Sequence, residues 1–211
     1  LLPAFAGLDE EATTLLLFIN NNELRPAGGF IGSYGVLKTS GGDIAELETA
    51  DVYALDDAAS SKITRTAPSP LQRYNAITKW FFRDANWSPD FAVASKTAID
   101  LFLEEVGFIE DPGLIPTTTH IDNVIGFTPT YAADLLTITG SIMVGGQTFT
   151  AENVAETLEY QVEYGYASAG LPPSQRKEIL ADLVNDMKTR LYALPSEDWQ
   201  EVLEATQRAL Q

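Results

Sequence analysis

The sequence predicts an α/β protein with a mixed central sheet, covered by helices on both faces and followed by a helical carboxy-terminal part. Three observations lead to this prediction. Short apolar runs are bounded by glycines or polar clusters, helical stripes lie between those runs, and the last third reads as helices broken by proline. No shift in composition marks a boundary, so we expect one domain over residues 1–211.

Three apolar runs predict the central strands. Residues 15–19 form a continuous apolar run, which is typical of a strand buried on both faces. Residues 30–37 follow the Gly28-Gly29 turn, and residues 124–127 form a third short run. A turn at residues 40–43 predicts a hairpin into a further strand over residues 44–52.

Helices are expected where apolar residues recur at helical spacing. Ser88-Pro89 is typical of an N-cap followed by proline, and Gly107 is expected to end this helix. Its apolar stripe consists of Phe91, Ala94, Ala98, Leu101 and Phe102.

A second helix is expected from Thr128-Pro129 through Ile138, with Gly140 as its stop. Residues 56–70 are rich in Ala, Ser, Thr and Pro, which predicts an exposed loop. In the carboxy-terminal third, residues 171–173 and Pro195 are expected to break the helices.

The charge balance narrows the function classes. Thirteen Lys and Arg against 30 Asp and Glu give a net charge of −17, which repels phosphate backbones and anionic lipids. Nucleic acid and peripheral membrane surfaces are therefore disfavoured as partners. The chain has no cysteine, which excludes disulfides and thiol chemistry. The single histidine, His120, excludes a multi-histidine metal site and reads as an ordinary loop residue.

The first candidate site is the turn after the first predicted strand. Arg25 offers a planar fork for phosphate or carboxylate, and Gly28 and Gly29 allow close approach of a ligand. Asn20 and Glu23 are the other candidate ligand-binding residues there. The alternative is a tight loop in which Arg25 pairs with Glu23 or another acid.

The second candidate is the segment before the first long helix. Arg83 and the free N–H groups of the helix start would attract an anion, with Asn86 as a further ligand-binding residue. Asp84 and Asp90 could hold Mg²⁺. The alternative makes Ser88 the N-cap, Asp90 a first-turn acid and Asp84 the partner of Arg83.

The third candidate is Gln175-Arg176, a locally basic stretch at the predicted start of a long helix, next to Lys177. A solvated helix turn is the alternative interpretation of such a basic pair.

Two of these segments carry a resemblance to a known family. Residues 21–32 (NNELRPAGGFIG) and 83–91 (RDANWSPDF) resemble the bacterial family called domain of unknown function 4012, and residues 124–153 fit it as well. Members occur on membrane-anchored extracytoplasmic proteins. The resemblance therefore implies a cell-surface location, with a membrane anchor ahead of Leu1.

The order of elements is also distantly similar to the LytR-CpsA-Psr family, which transfers glycans from a polyprenyl pyrophosphate carrier. That resemblance implies that Arg25, Arg83 and Arg176 face a pyrophosphate and that Asp84 joins a Mg²⁺ site. The sequence departs from that family after Arg25, where Pro26-Ala27-Gly28 stands in place of Ser-Asp-Thr.

Two functions remain open at this point. The first is an extracytoplasmic protein that binds a polyprenyl-pyrophosphate-linked glycan or another anionic envelope ligand. Arg25, Arg83 and Asp84 would then be the catalytic residues if it transfers glycan. The second is a non-catalytic binding or scaffolding domain without a metal site. Convergence of the three arginines in one cleft favours an anion site, whereas pairing with separate surface carboxylates favours the scaffold.

Overall fold

The structure, a computed structural model, describes residues 2–113, 115–160 and 178–209. It confirms a mixed α/β fold with a four-stranded mixed sheet, helices around the sheet and a helical carboxy-terminal part. The chain divides into two compact units, an amino-terminal unit (Leu1–Gly126) and a carboxy-terminal unit (Phe127–Gln211). Each unit has its own cluster of buried apolar side chains. Folding as one domain stays a prediction.

The central sheet belongs to the amino-terminal unit and has the strand order β3-β2-β1-β4. Its strands are β1 (Ala12–Asn20), β2 (Phe30–Ser40), β3 (Asp43–Asp51) and β4 (Asn123–Phe127). β1 and β2 pair antiparallel, with a bulge between Phe18 and Ile19, and β2 and β3 pair antiparallel through the expected hairpin. The three predicted central strands are confirmed, each extended by one or more residues.

β3 is an outer strand of this sheet and carries several acidic residues. Asp43, Glu46 and Glu48 are exposed, and Glu46 forms an ion pair with Lys38 of β2 at 2.6 Å. β3 ends at Asp51, whose side chain caps the following helix by accepting a hydrogen bond from the Tyr53 N–H. The strand predicted over residues 44–52 is therefore one residue too long at its end, because Val52 already starts that helix.

The helices of the amino-terminal unit correct one prediction. They are α1 (Leu2–Phe5), α2 (Val52–Ala59), α3 (Ser69–Asn75), a 3-10 turn (Phe82–Asp84) and α4 (Phe91–Val106). The exposed loop predicted over residues 56–70 is wrong at both ends, because α2 extends to Ala59 and α3 begins at Ser69. Val52, Leu55 and Ala59 lie on one face of α2 and are fully buried, so packing outweighs the loop-like composition.

The start of α4 corrects a second prediction. Asp90, and not Ser88, is the N-cap: its Oδ1 accepts hydrogen bonds from the N–H groups of Ala92 and Val93. The Ser88 hydroxyl oxygen accepts a hydrogen bond from the Asp90 N–H instead. Gly107 follows the helix as predicted. The apolar stripe is buried except at Phe91, which is 41% exposed.

Three aromatic rings form the centre of the amino-terminal unit. Tyr34 lies 5.6 Å from Phe82 and 5.5 Å from Phe102, and Phe82 lies 5.4 Å from Phe102. All three contacts are edge-to-face, a favourable arrangement for buried rings. They join β2, the 3-10 turn and α4 in a region from which water is excluded.

The described residues of the carboxy-terminal unit form a short hairpin and four helices. Its elements are α5 (Pro129–Thr139), β5 (Ile142–Val144), β6 (Gln147–Phe149), α6 (Val154–Tyr160), α7 (Glu178–Tyr192) and α8 (Trp199–Ala209). Thr128 caps α5 and Gly140 follows it, as predicted, and Pro195 lies between α7 and α8. Residues 171–173 lie outside the described residues. Among those that are described, no helix combines the length and the apolar character needed to cross a membrane.

Candidate functional site

Arg83 lies on the 3-10 turn and is held by two carboxylates. Its terminal nitrogen donates to Asp56 Oδ2 at 2.7 Å, and its Nε lies 3.6 Å from Asp84 Oδ2. The Arg83 guanidinium also stacks over the rings of Phe81 and Tyr53, at 4.6 and 5.2 Å. Because Asp56 is fully buried and the Arg83 side chain is 18% exposed, this ion pair belongs largely to the protein interior.

Arg25 approaches the same carboxylate from the turn between β1 and β2. Its Nε lies 3.8 Å from Asp84 Oδ1, and its terminal nitrogen donates to the Leu24 carbonyl at 2.9 Å. Its guanidinium lies 5.0 Å from the centre of the Phe30 ring. The structure therefore brings Arg25 and Arg83 together on Asp84. Gln175 and Arg176, the third predicted group, lie outside the described residues.

Asn20 and Glu23 close the turn that carries Arg25. The Asn20 amide donates to Glu23 Oε1 at 3.1 Å, and the Asn20 side-chain oxygen accepts from the Asn22 N–H at 3.1 Å. Glu23 therefore pairs with Asn20 and not with Arg25. These bonds match the interpretation of the segment as a self-satisfied turn.

The two glycines of this turn have different roles. Gly28 and Gly29 both have positive φ, at 99° and 156°. A Cβ at Gly28 would meet nothing within 4 Å, whereas a Cβ at Gly29 would collide with the Asn20 backbone oxygen. Gly29 is thus required by the close approach of the turn to the end of β1, which is a packing reason.

Asn86 joins the Arg25 turn to the Arg83 segment. Its side-chain amide donates a short hydrogen bond to the Gly29 carbonyl, and its backbone carbonyl accepts a hydrogen bond from the Ala27 N–H at 3.3 Å. Asn86 is 1% exposed. It therefore ties the turn that carries Arg25 to the segment that carries Asp84, across a separation of 57 residues between Gly29 and Asn86.

The two aspartates predicted as Mg²⁺ ligands have other partners. Both Asp84 oxygens face guanidinium nitrogens, and Asp90 uses its carboxylate to cap α4. A carboxylate between two cations does not fit a divalent metal ion, which needs the same oxygens and is repelled by both arginines. Within the described ranges, no three His, Asp or Glu residues are placed to hold a metal ion together.

Two buried acids that the sequence did not single out complete the cluster. Asp56 of α2 and Glu105 of α4 are both 0% exposed, and their carboxyl groups are close enough for each to shift the pKa of the other. Glu105 Oε1 also accepts a hydrogen bond from the Phe82 N–H at 2.7 Å. We call Arg25, Arg83, Asp84, Asp56 and Glu105 the charged cluster.

Burial dominates the protonation of this cluster. It raises the pKa of Asp84 although Arg83 and Arg25 lower it, and it raises the pKa of Asp56 to about 6. Burial, together with the adjacent Asp56, raises the pKa of Glu105 to about 9. Two carboxyl groups that share one buried site cannot both ionise easily, and the pKa is raised further for Glu105 than for Asp56.

A sequence signal for Asp56 and Glu105 did exist. Asp56 falls directly after Leu55 on the buried face of α2, and Glu105 continues the stripe of α4 at helical spacing from Leu101. An acid on the apolar face of a helix is almost never fully buried unless it is paired. The position of both acids on such a face therefore pointed to buried partners.

A small cavity lies beside Arg25. It has a volume of about 280 Å³ and is lined by Leu24, Arg25, Pro26, Leu71, Asn75 and Trp87. Four of these side chains are largely apolar and Arg25 is the only charged one. This combination suits a ligand that has an anionic group next to an apolar part.

His120 takes no part in this site. Its Nε2 lies 2.8 Å from Asp122 Oδ1 at the surface, and Asp122 Oδ2 accepts from the Thr13 N–H at 2.8 Å. The histidine thus belongs to a surface pair at the start of β4.

Comparison with known protein families identifies the family of this chain. A family model described as "Protein of unknown function (DUF4012)" matches residues 9–163, which is more than half of the chain. The matched range contains both arginines and all three acids of the charged cluster, together with the cavity beside Arg25. No curated protein and no solved structure matches the chain.

Proposed function

We propose that this chain, which belongs to the DUF4012 family, is an extracytoplasmic cell-envelope domain that binds a pyrophosphate-containing ligand. The ligand class is a polyprenyl-pyrophosphate-linked glycan or another anionic envelope molecule with the same group. The observation that carries the proposal is the position of Arg25, which contacts the buried Asp84 and also lines an open cavity.

Arg25 is held more loosely than Arg83. Its Nε has no hydrogen-bond partner among the described residues and lies 3.8 Å from Asp84, beyond the distance of a good charge-assisted bond. Arg83, in contrast, is bonded at 2.7 Å to a fully buried carboxylate. Turning Arg25 toward a phosphate gives up at most its hydrogen bond to the Leu24 carbonyl and its 3.8 Å contact with Asp84, while Arg83 remains beside Asp84 and compensates its charge.

The walls of the cavity support an amphipathic ligand. Leu24 is 90% exposed, and it stands with Pro26 and Trp87 around the arginine. Covering these apolar surfaces contributes roughly 25 cal/mol for each Å² removed from water. A pyrophosphate attached to an isoprenoid or sugar group satisfies both the cation and the apolar walls.

The net charge of the whole chain repels anions, so the site must bind its ligand through short-range contacts. With a net charge of −17, the protein repels anions at long range, and salt should weaken that repulsion. A bidentate contact between Arg25 and a phosphate acts at short range and remains strong in a partly buried place.

Binding without turnover agrees better with the geometry than glycan transfer does. The transferase interpretation assigns Mg²⁺ to Asp84, and both oxygens of Asp84 face arginines. Transfer of a phosphoryl-linked glycan stays the alternative, in which Arg25 and Arg83 together neutralise charge on the pyrophosphate.

The test uses farnesyl pyrophosphate and inorganic pyrophosphate as probes in titration calorimetry. Arg25→Ala should weaken binding of both probes at least about tenfold, since a charge-assisted bidentate contact is lost. Its free energy of unfolding should fall by less than that of Asp56→Ala, because Arg83 still faces Asp84 when Arg25 is removed. Arg65→Ala is the matched control, because Arg65 pairs with Glu104 at 3.2 Å away from the cavity.

Unchanged affinity in Arg25→Ala, accompanied by a large loss of stability, would make Arg25 structural and contradict the proposal. Native mass spectrometry of protein expressed in bacteria should show a bound lipid pyrophosphate that Arg25→Ala loses. Consumption of the bound lipid pyrophosphate on addition of Mg²⁺ and a glycan acceptor would favour the transferase alternative.

A further inference from the structure

The charged cluster contains more acids than bases. Asp56, Asp84 and Glu105 are 0, 2 and 0% exposed; Asp56 and Asp84 face the guanidinium groups of Arg25 and Arg83, and Glu105 lies beside Asp56. Three ionised carboxylates against two guanidinium groups would leave one unpaired buried negative charge. Such a charge is costly enough that a buried acid normally takes up a proton instead.

The ion pairs show which acid holds this proton. Asp56 is kept ionised by Arg83 at 2.7 Å, and Asp84 lies between the Nε atoms of Arg25 and Arg83. Glu105 forms no ion pair with any described residue and accepts only the Phe82 N–H. It is therefore the acid with the least compensation for a negative charge.

The unpaired oxygens show where the proton points. Glu105 Oε2 and Asp56 Oδ1 are buried, and neither has a hydrogen-bond partner among the described residues. The two Asp84 oxygens also lack a hydrogen bond there, but each lies within 4 Å of an arginine Nε. Burial and the neighbouring Asp56 both raise the pKa of Glu105, which agrees with a proton held between these two carboxyl groups. A hydroxyl on Glu105 Oε2 that donates to Asp56 Oδ1 satisfies both atoms.

We infer that Glu105 is a protonated positioning residue, which fixes Arg83 through Asp56 and keeps the charged cluster neutral beside the anion site. The proton leaves both Asp56 oxygens bonded, one by Glu105 and one by Arg83, so Arg83 is fixed next to Asp84. The ligand-related part of this inference rests on the proposed function, whereas the protonation of Glu105 does not.

The groups that face Glu105 come from three other elements. Tyr34 approaches from β2, Asp56 from α2, and Arg83 and the Phe82 N–H from the 3-10 turn. Tyr34 cannot supply the missing donor, because its hydroxyl already donates to the Pro116 carbonyl at 3.1 Å. The rings of Tyr34, Phe82 and Phe102 exclude water, which agrees with the raised pKa of Glu105.

Loss of this proton changes the anion site in a definite direction. It adds one negative charge to the cluster and removes the donor to Asp56. Arg25 is the cation whose Nε lacks a hydrogen bond, so the added charge holds it inward and opposes an incoming anion. Ligand affinity should therefore fall as the pH rises through the pKa of Glu105, near 9.

Infrared spectroscopy tests the proton directly. The carbonyl band of a protonated carboxylic acid should be present in the wild type at about pH 7.5, a pH between the pKa of Asp56 and the pKa of Glu105. Glu105→Gln should lose the band, and it should fold, because glutamine can accept from Phe82 and donate to Asp56. Glu104→Gln should keep the band, since Glu104 pairs with Arg65 on the surface.

A wild type without this band overturns the inference, and so does a band that persists in Glu105→Gln. If Glu105→Gln does not fold, the band is followed in the wild type alone. Its loss as the pH is raised to about 10 supports the assignment, whereas a constant band contradicts it.

A binding experiment with inorganic pyrophosphate tests the effect of the proton on the anion site. Affinity should fall about tenfold from pH 7 to pH 10 in the wild type and in Glu104→Gln, but not in Glu105→Gln. An equal fall in Glu105→Gln, or no fall in the wild type, overturns the positioning role. Absence of pyrophosphate binding by every protein at pH 7 rejects the proposed function and with it the positioning role, while the infrared band still decides the proton.

Discussion

The two compact units of this protein bury different chemistry. The amino-terminal unit encloses Asp56, Asp84, Asn86 and Glu105, whereas the fully buried side chains described for the carboxy-terminal unit are all apolar. An apolar interior responds to volume and shape, and a charged interior also responds to protonation. The comparison teaches that pH should act on one unit and leave the other largely unaffected.

Removal of one partner from the charged cluster should have the largest effect. Asp56→Ala removes the partner of the Arg83 guanidinium and of the Glu105 carboxyl group, and breaking a buried pair lowers the free energy of unfolding by about 3–5 kcal/mol. Asp57→Ala is the control, because Asp57 lies on the exposed side of the same helix and should cost about 0.5 kcal/mol or less. Urea unfolding measures both.

A carboxy-terminal counterpart sharpens this comparison. Phe149 is fully buried among apolar residues, and Phe149→Ala should also cost about 3–5 kcal/mol through the cavity it leaves. If Asp56→Ala were no more destabilising than Asp57→Ala, the charged cluster would contribute nothing to stability and the contrast between the units would fail.

The next effect concerns pH. The folded-state pKa of Glu105 rises from 4.5 to about 9, and that of Asp56 from 3.8 to about 6. The folded unit thus binds more protons than the unfolded chain in this range, so its free energy of unfolding must fall as the pH rises. The loss should be progressive between about pH 4 and pH 9, and it should be smaller in Glu105→Gln.

Hydrogen exchange with mass spectrometry can separate the two units, because it reports opening segment by segment. After correction for the intrinsic exchange rates, protection of α2 and α4 should decrease with pH while that of α5 does not. Parallel losses in both units would show that the pH response is not due to the charged cluster.

The smallest expected effect comes from the helix N-caps, and it tests whether the two units differ only in their buried interiors. Each unit has a long helix with a side-chain N-cap, Asp90 for α4 and Thr128 for α5. Asp90→Ala and Thr128→Ala should each cost about 0.5–2 kcal/mol. Thermal unfolding of Ser88→Ala provides the control, and a larger loss there than in Asp90→Ala would restore Ser88 as the cap of α4.

The elements that could be predicted are those with a local signal. The run at residues 15–19, the Gly28-Gly29 turn and the Thr128-Pro129 start each determine a strand, a turn or a helix within a few residues. The family was likewise recognisable from residues 21–32 and 83–91, and the match over residues 9–163 confirms it. The likeness to the LytR-CpsA-Psr family stays a prediction.

The charged cluster could be predicted only in part, because its contacts are long-range. Arg83 and Asp84 are neighbours in sequence, but Asp56 lies 27 residues from Arg83. α2 is short and rich in alanine and aspartate, so its composition resembles a loop, and its helical form depends on burial of Val52 and Leu55. Glu105 is charged, and charged residues lie at the surface by default unless a partner is known.

The acidic outer strand has a consequence for crowded solutions of this protein. β3 carries Asp43, Glu46 and Glu48 as exposed side chains along the margin of its sheet. An outer strand can in principle pair with the same strand of another molecule and begin an aggregate. Each molecule, however, presents the same row of carboxylates, and such pairing would bring like charges directly opposite one another, which is destabilising. The strand thereby helps to keep separate copies of the chain apart.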